Sequence, residues 1–146
     1  IDASALVPLA VFEEGSGSIA EIFELLESGL IEGTIHAPRL IYTEVAHGLL
    51  KAVRRDRLSA EDAEEGYSLI LRLPLVIHDV PALSTDDFVT ARRHDLGAYD
   101  MVYVSLARSL DLPLVANDLR LIKNAAPLLK ARDVVLAYDD LRRGGL

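Results

Sequence analysis

The chain has 146 residues, a formal net charge of −8 and an apolar fraction of 51%, enough for one domain, residues 1–146, with a sizeable core. It contains no cysteine, which excludes a disulfide scaffold and a thiolate metal site but permits either redox compartment. No apolar run approaches the roughly 20 residues of a membrane span, and no signal peptide is visible, so a cytoplasmic protein is expected.

Asp2 comes directly after Ile1, with no room for a strand before it. A few residues ahead of Ile1 are expected to supply that first strand. Leu6 to Phe12 is apolar and interrupted by Pro8, which suits a first helical turn if the helix starts near Ser4. Glu13 to Gly17 makes a break. Ile19, Ile22, Phe23, Leu25 and Leu26 then trace a helical stripe that Gly29 ends. Thr34 to His36 reads as a short strand before Pro38. Leu40 to Arg55 reads as a long helix with Ile41, Val45, Leu49 and Ala52 facing inward. Ser59 opens another helix, reaching about Arg72, with Asp62 as a weak capping-box partner. Beyond Pro74, Leu75-Val76-Ile77 is a buried strand. Ser84 or Thr85 caps the following helix, which ends near His94 or Gly97. A helix from Tyr99 or Asp100 carries Met101, Val104, Leu106, Ala107 and Leu110. Leu112 to Ala116 is a strand, Leu119 to Ala125 a short helix, and Val134-Val135-Leu136 a final strand. Arg142 to Leu146 reads as a frayed tail.

Short apolar strands alternating with amphipathic helices indicate parallel α/β packing. In such folds, sites gather beyond the carboxyl ends of the strands. Seven acids and no base lie between Asp2 and Glu32, while the rest of the chain is nearly balanced, with 16 acids against 15 bases. The bases cluster at Lys51, Arg54, Arg55 and Arg57, at Arg92 and Arg93, and at Arg142 and Arg143; each cluster reads first as solvated helix surface. Net acidity argues against broad, non-specific nucleic-acid binding. It is compatible with a nuclease whose metal ions cancel charge locally.

Four acids stand at edges between apolar and helical segments: Asp2, Glu44, Asp100 and Asp118. Each has a local structural role open to it. Asp2 or Ser4 can cap a helix. Glu44 suits a helix's first turn. Asp100 can cap its own helix, and Asn117-Asp118 is good turn chemistry. Four such placements together suit a site for a hard divalent cation such as Mg²⁺ or Mn²⁺, which takes oxygen ligands and supports phosphodiester hydrolysis. Ser4 can bond a ligand carboxylate, Thr43 can partner Glu44, Tyr99 and Tyr103 can pack around Asp100, and Asn117 can orient water or phosphate. His36, His47, His78 and His94 lack a zinc-ligand spacing, although His47, three residues after Glu44, can approach the same site. The hydroxyl residues show no nucleophile elbow, and Gly15-Ser16-Gly17 is not a phosphate loop.

Three stretches together resemble the PIN-domain family, most closely the VapC-type toxin ribonucleases of VapBC toxin–antitoxin pairs. They are Asp2-Ala-Ser-Ala-Leu-Val, Pro38-Arg-Leu-Ile-Tyr-Thr-Glu44-Val-Ala, and Leu96-Gly-Ala-Tyr99-Asp100 through Ala107, continuing through Leu112 to Leu121. The resemblance implies a Rossmann-like three-layer α/β/α domain with a central parallel sheet. It implies a pocket in which Asp2, Glu44, Asp100 and Asp118 hold Mg²⁺ or Mn²⁺, with Ser4 as a small polar neighbour. Ala116 stands where the family often has threonine, and His47 where it often has asparagine. The implied activity is metal-dependent endoribonuclease cleavage of RNA, with a small antitoxin as partner and a homodimer as assembly. The implied antitoxin contact includes the apolar helices after Glu13 and Gly33, and Tyr42, Leu49 and Leu50 are core or interface positions. A non-catalytic RNA- or protein-binding module and a structure-specific DNA nuclease are the alternative readings.

Overall fold

The computed structural model describes residues 1–11 and 16–144. In chain order the elements are α1 (Ala3–Val11), α2 (Ser16–Glu27), β1 (Ile35–Pro38), α3 (Leu40–Val53), α4 (Ala60–Ile70), β2 (Leu75–His78), α5 (Thr85–Arg93), α6 (Ala98–Leu110), β3 (Leu114–Ala116), α7 (Leu119–Ala125), β4 (Ala131–Asp133) and α8 (Val134–Arg142). The strands pair in parallel. Ile35 lies opposite Leu75 in β1–β2, and Leu114 lies opposite Ala131 in β3–β4.

The single central sheet expected from the sequence is present among the described residues as two separate parallel pairs. Ile1 and Asp2 lie between them. The Ile1 nitrogen donates to His36 O at 2.6 Å, and the Asp2 N–H donates to Val115 O at 2.9 Å. Two residues supply one bond to each side, which links the pairs without forming a ladder. This link sets Asp2 at the seam between β1 and β3.

Helix α1 packs against α2, α3 and α4, and α6 lies against both β1 and β3. Ala5, Leu6, Pro8 and Ala10 of α1 are buried. Pro8 sits in the interior of this helix, not in its first turn, because the helix already begins at Ala3. Proline there removes one backbone hydrogen bond, a cost that burial on three neighbouring helices offsets. The close approach of α1 to α4 depends on Gly66: a Cβ built there would stand 2.4 Å from Ala10 Cβ and 3.0 Å from Ala10 Cα.

The expected strand at Val134–Leu136 is instead the start of α8. The Asp133 side chain accepts the Leu136 N–H at 2.8 Å, and burial of Val134 and Ala137 follows the three-residue helical spacing. The cap and this periodicity override the β preference of two adjacent valines. The strand is displaced to Ala131–Asp133.

Other boundaries follow local chemistry. Ser59 accepts the Asp62 N–H, and Ser84 with Asp87 forms a reciprocal capping box. Gly29 takes a left-handed turn after α2, with φ of 71°, as a C-terminal glycine can. The expected break at Glu13–Gly17 lies largely outside the described residues. Leu49 is buried in the core, Tyr42 packs partly buried against it, and Leu50 is exposed. Among the described residues, no helix is long and apolar enough to cross a membrane.

Candidate active site

The site begins with Asp2, the buried charged residue among the described residues, 7% exposed. It stands at the start of α1, where the Ser4 N–H donates to its Oδ1 at 2.9 Å and the Ser4 hydroxyl donates to the same oxygen. The Ser4 Oγ in turn accepts the Asn117 N–H at 2.8 Å. One hydroxyl thus ties the start of α1 to the end of β3. Asn117 contributes to this link through its backbone.

Glu44 comes from the second turn of α3 and is half-buried. The Tyr103 hydroxyl of α6 donates to its Oε2 at 2.5 Å. The Tyr103 hydroxyl therefore bonds Glu44, 59 residues away in sequence. Burial, the bond to Glu44 and the charges of Glu44 and Asp2 all hold the phenol well above its usual range. Asp100 is the third residue of α6; its Oδ2 accepts the Gly97 N–H at 3.0 Å, which completes the turn into the helix.

These three carboxylates come from separate elements and act on one another. Burial raises the Asp2 carboxyl above its ordinary range and the charge of Asp100 adds to that, against the lowering effect of the two Ser4 bonds. Burial also raises Glu44, reinforced by Asp2 and Asp100 and opposed by Tyr103 and His47. His47 thus lies within electrostatic reach of Glu44, although it is exposed. Desolvation and like charge both disfavour ionisation, so the cluster is under electrostatic stress that a cation would relieve.

Asp118 is placed differently. It caps α7, its Oδ1 accepting the Arg120 and Leu121 N–H groups at 2.8 and 3.1 Å. Its connection to the trio runs through Arg120, whose guanidinium Nη2 donates to Asp100 Oδ2 at 3.0 Å. Sequence reading gave Arg120 no role. Its place two residues after a candidate acid was the available signal, but one exposed arginine on a helix is too common to single out.

The carboxylate oxygens are donors of the type a hard divalent cation takes. Protein hydrogen bonds fall on one oxygen of each carboxylate, namely Asp2 Oδ1, Glu44 Oε2, Asp100 Oδ2 and Asp118 Oδ1. As the side chains stand, no group of three His, Cys, Asp or Glu among the described residues could hold a metal ion. Asp100 is engaged by Arg120, and Glu44 by Tyr103. An apolar cavity lined by Ile19, Leu26, Leu110 and Leu141 among others touches none of the four acids.

A PIN-domain family model matches residues 1–127. The VapC ribonuclease Mb0985 of Mycobacterium bovis is 37% identical over 87 residues, 60% of this chain and 67% of the relative. Ribonuclease VapC1 of Mycobacterium tuberculosis is 35% identical over 131 residues, 87% of this chain and 89% of the relative. Among solved structures, PAE2754 from Pyrobaculum aerophilum superposes with a TM-score of 0.71 over 97% of this chain and 93% of that one. At 23% identity, that likeness speaks for the fold.

Proposed function

The chain belongs to the PIN-domain family, and from that membership we propose that it is the toxin ribonuclease of a toxin–antitoxin pair, cleaving RNA phosphodiesters with the help of Mg²⁺ or Mn²⁺. What supports the metal-dependent chemistry is that Asp2, Glu44 and Asp100, drawn from three elements, act electrostatically on one another. On this reading they would hold the ion, with Asp118 completing the site directly or through water. When bound, the ion supplies positive charge against the phosphodiester and makes water a better nucleophile near neutral pH.

The protein's own groups prepare the site. Ser4 fixes one oxygen of Asp2, and Tyr103 fixes one oxygen of Glu44. Each anchored carboxylate thereby has few orientations to search. Burial of Asp2 limits competing water and strengthens its attraction for a cation. The proposed partners are single-stranded RNA and a small antitoxin with a basic side chain complementary to the acids. A homodimer and a cytoplasmic setting complete the proposal.

The test compares matched RNA and DNA oligonucleotides in Mn²⁺ and in EDTA, using the wild type, Asp2→Asn and Asp100→Asn. Mn²⁺-dependent cleavage of RNA, lost in both variants, is the expected result. Cleavage that persists in EDTA would exclude the metal-dependent mechanism. A preference for DNA would favour the structure-specific DNA nuclease, and Mn²⁺ uptake without cleavage would favour a non-catalytic binding module.

A further inference from the structure

Arg120 holds a place that the proposed chemistry leaves unused. Among the described residues it is the basic side chain paired with one of the four acids. Its Nη2 donates to Asp100 Oδ2 at 3.0 Å and its Nη1 to Asp95 O at 3.3 Å, while its backbone N–H donates to Asp118 Oδ1 at 2.8 Å. Asn124 donates to the same Asp95 carbonyl at 2.9 Å, so that acceptor is fixed from two sides. The Arg120 side chain is 55% exposed and that of Asp100 21%.

We infer that Arg120 is a substrate-positioning residue that rests on Asp100 in the metal-free site and transfers to an RNA phosphate when a divalent cation takes over Asp100. The inference rests on the ribonuclease reading above. Three features support it. An ion pair this exposed is weak and can open. A divalent ion among Asp2, Glu44 and Asp100 removes the negative charge that holds the guanidinium and repels it directly. A phosphate then offers the planar fork a bidentate acceptor, which guanidinium groups match better than ammonium groups do. The anchor at Asp118 keeps the base of the side chain in place during the exchange.

The exchange requires Arg120→Ala to move two measurements in opposite directions. Mn²⁺ binding without RNA, followed by the electron paramagnetic resonance signal of free Mn²⁺, is expected to tighten about two- to fivefold, the range of an exposed ion pair. In saturating Mn²⁺, KM for a single-stranded RNA reporter is expected to rise about tenfold or more, and the dependence of log KM on log salt to flatten by about 0.7. Arg120→Lys keeps the charge without the fork; it should bind Mn²⁺ nearly as the wild type does and recover part of KM, and it carries the test if the alanine variant unfolds. Arg39→Ala loses the same charge from the remote Asp79 pair and should change neither quantity. Unchanged or weaker Mn²⁺ binding in Arg120→Ala overturns the inference, as does an unchanged KM. If the wild type takes up no Mn²⁺, the metal-dependent reading itself fails, a result distinct from uptake that is insensitive to Arg120.

Discussion

Replacing Asp2 by asparagine should stabilise the protein while abolishing cleavage. The carboxylate is buried, and Asp100 adds like charge to it. Asparagine keeps an oxygen for the Ser4 N–H and hydroxyl, so both bonds survive in neutral form. Their weakening costs about 1 kcal/mol each. Relief of desolvation is worth several kcal/mol for a buried ion, and relief of repulsion adds to it. The net gain expected is about 1–2 kcal/mol, or roughly 2–8 °C in melting temperature for a domain of this size. The sign with pH follows from the direction of the shift. The folded-state carboxyl is raised above its unfolded value, so its favourable contribution is complete below the unfolded pKa and is lost as pH rises through the folded one. The variant's advantage should therefore be larger at pH 8 than at pH 4. Urea denaturation of both proteins in EDTA at the two pH values provides the measurement. An Asp2→Asn protein less stable than wild type at pH 8, or one with the same difference at both pH values, would refute the electrostatic reasoning. Adding Mn²⁺ should reverse the order by stabilising the wild type alone, by about 2.7 kcal/mol at one hundred times its dissociation constant.

Ser4→Ala removes the hydroxyl shared by Asp2 and the Asn117 N–H; a loss of about 2 kcal/mol is expected in urea denaturation, and a variant as stable as wild type would show that the link carries little. Tyr103→Phe strips Glu44 of the hydrogen bond that lowers its pKa, so the acidic limb of the cleavage rate profile should move to higher pH, whereas an unmoved limb would separate Glu44 from the titration seen in catalysis. Gly66→Ala forces a Cβ against the backbone of α1; overpacking of about 1–3 kcal/mol should exceed the gain in helix propensity of roughly 1 kcal/mol, giving a lower melting temperature.

Local signals determined much of the chain from sequence alone. Ser59 and Ser84 mark helix starts because a side-chain oxygen satisfies an exposed N–H within three residues, and Ile41, Val45 and Leu49 mark a buried face because a helix repeats every 3.6 residues. The four candidate acids were legible as chain-edge positions, and their order alongside apolar strands carried the family resemblance. Tertiary structure decided what local rules leave degenerate. Val134-Val135-Leu136 has strand-like composition, yet the Asp133 cap and the burial of Ala137 make it helical. Pro8 is buried inside α1, a helix that packs on three others. Asp2 becomes the charged centre because the backbone of Ile1 and Asp2 bridges β1 and β3, and Tyr103 finds Glu44 only once α3 and α6 both pack on β1. Arg120 meets Asp100 across 20 residues of chain, from one helix to another. Sequence spacing describes neighbours along one element, whereas proximity between elements depends on how their apolar faces are buried together, and that is settled by the whole fold.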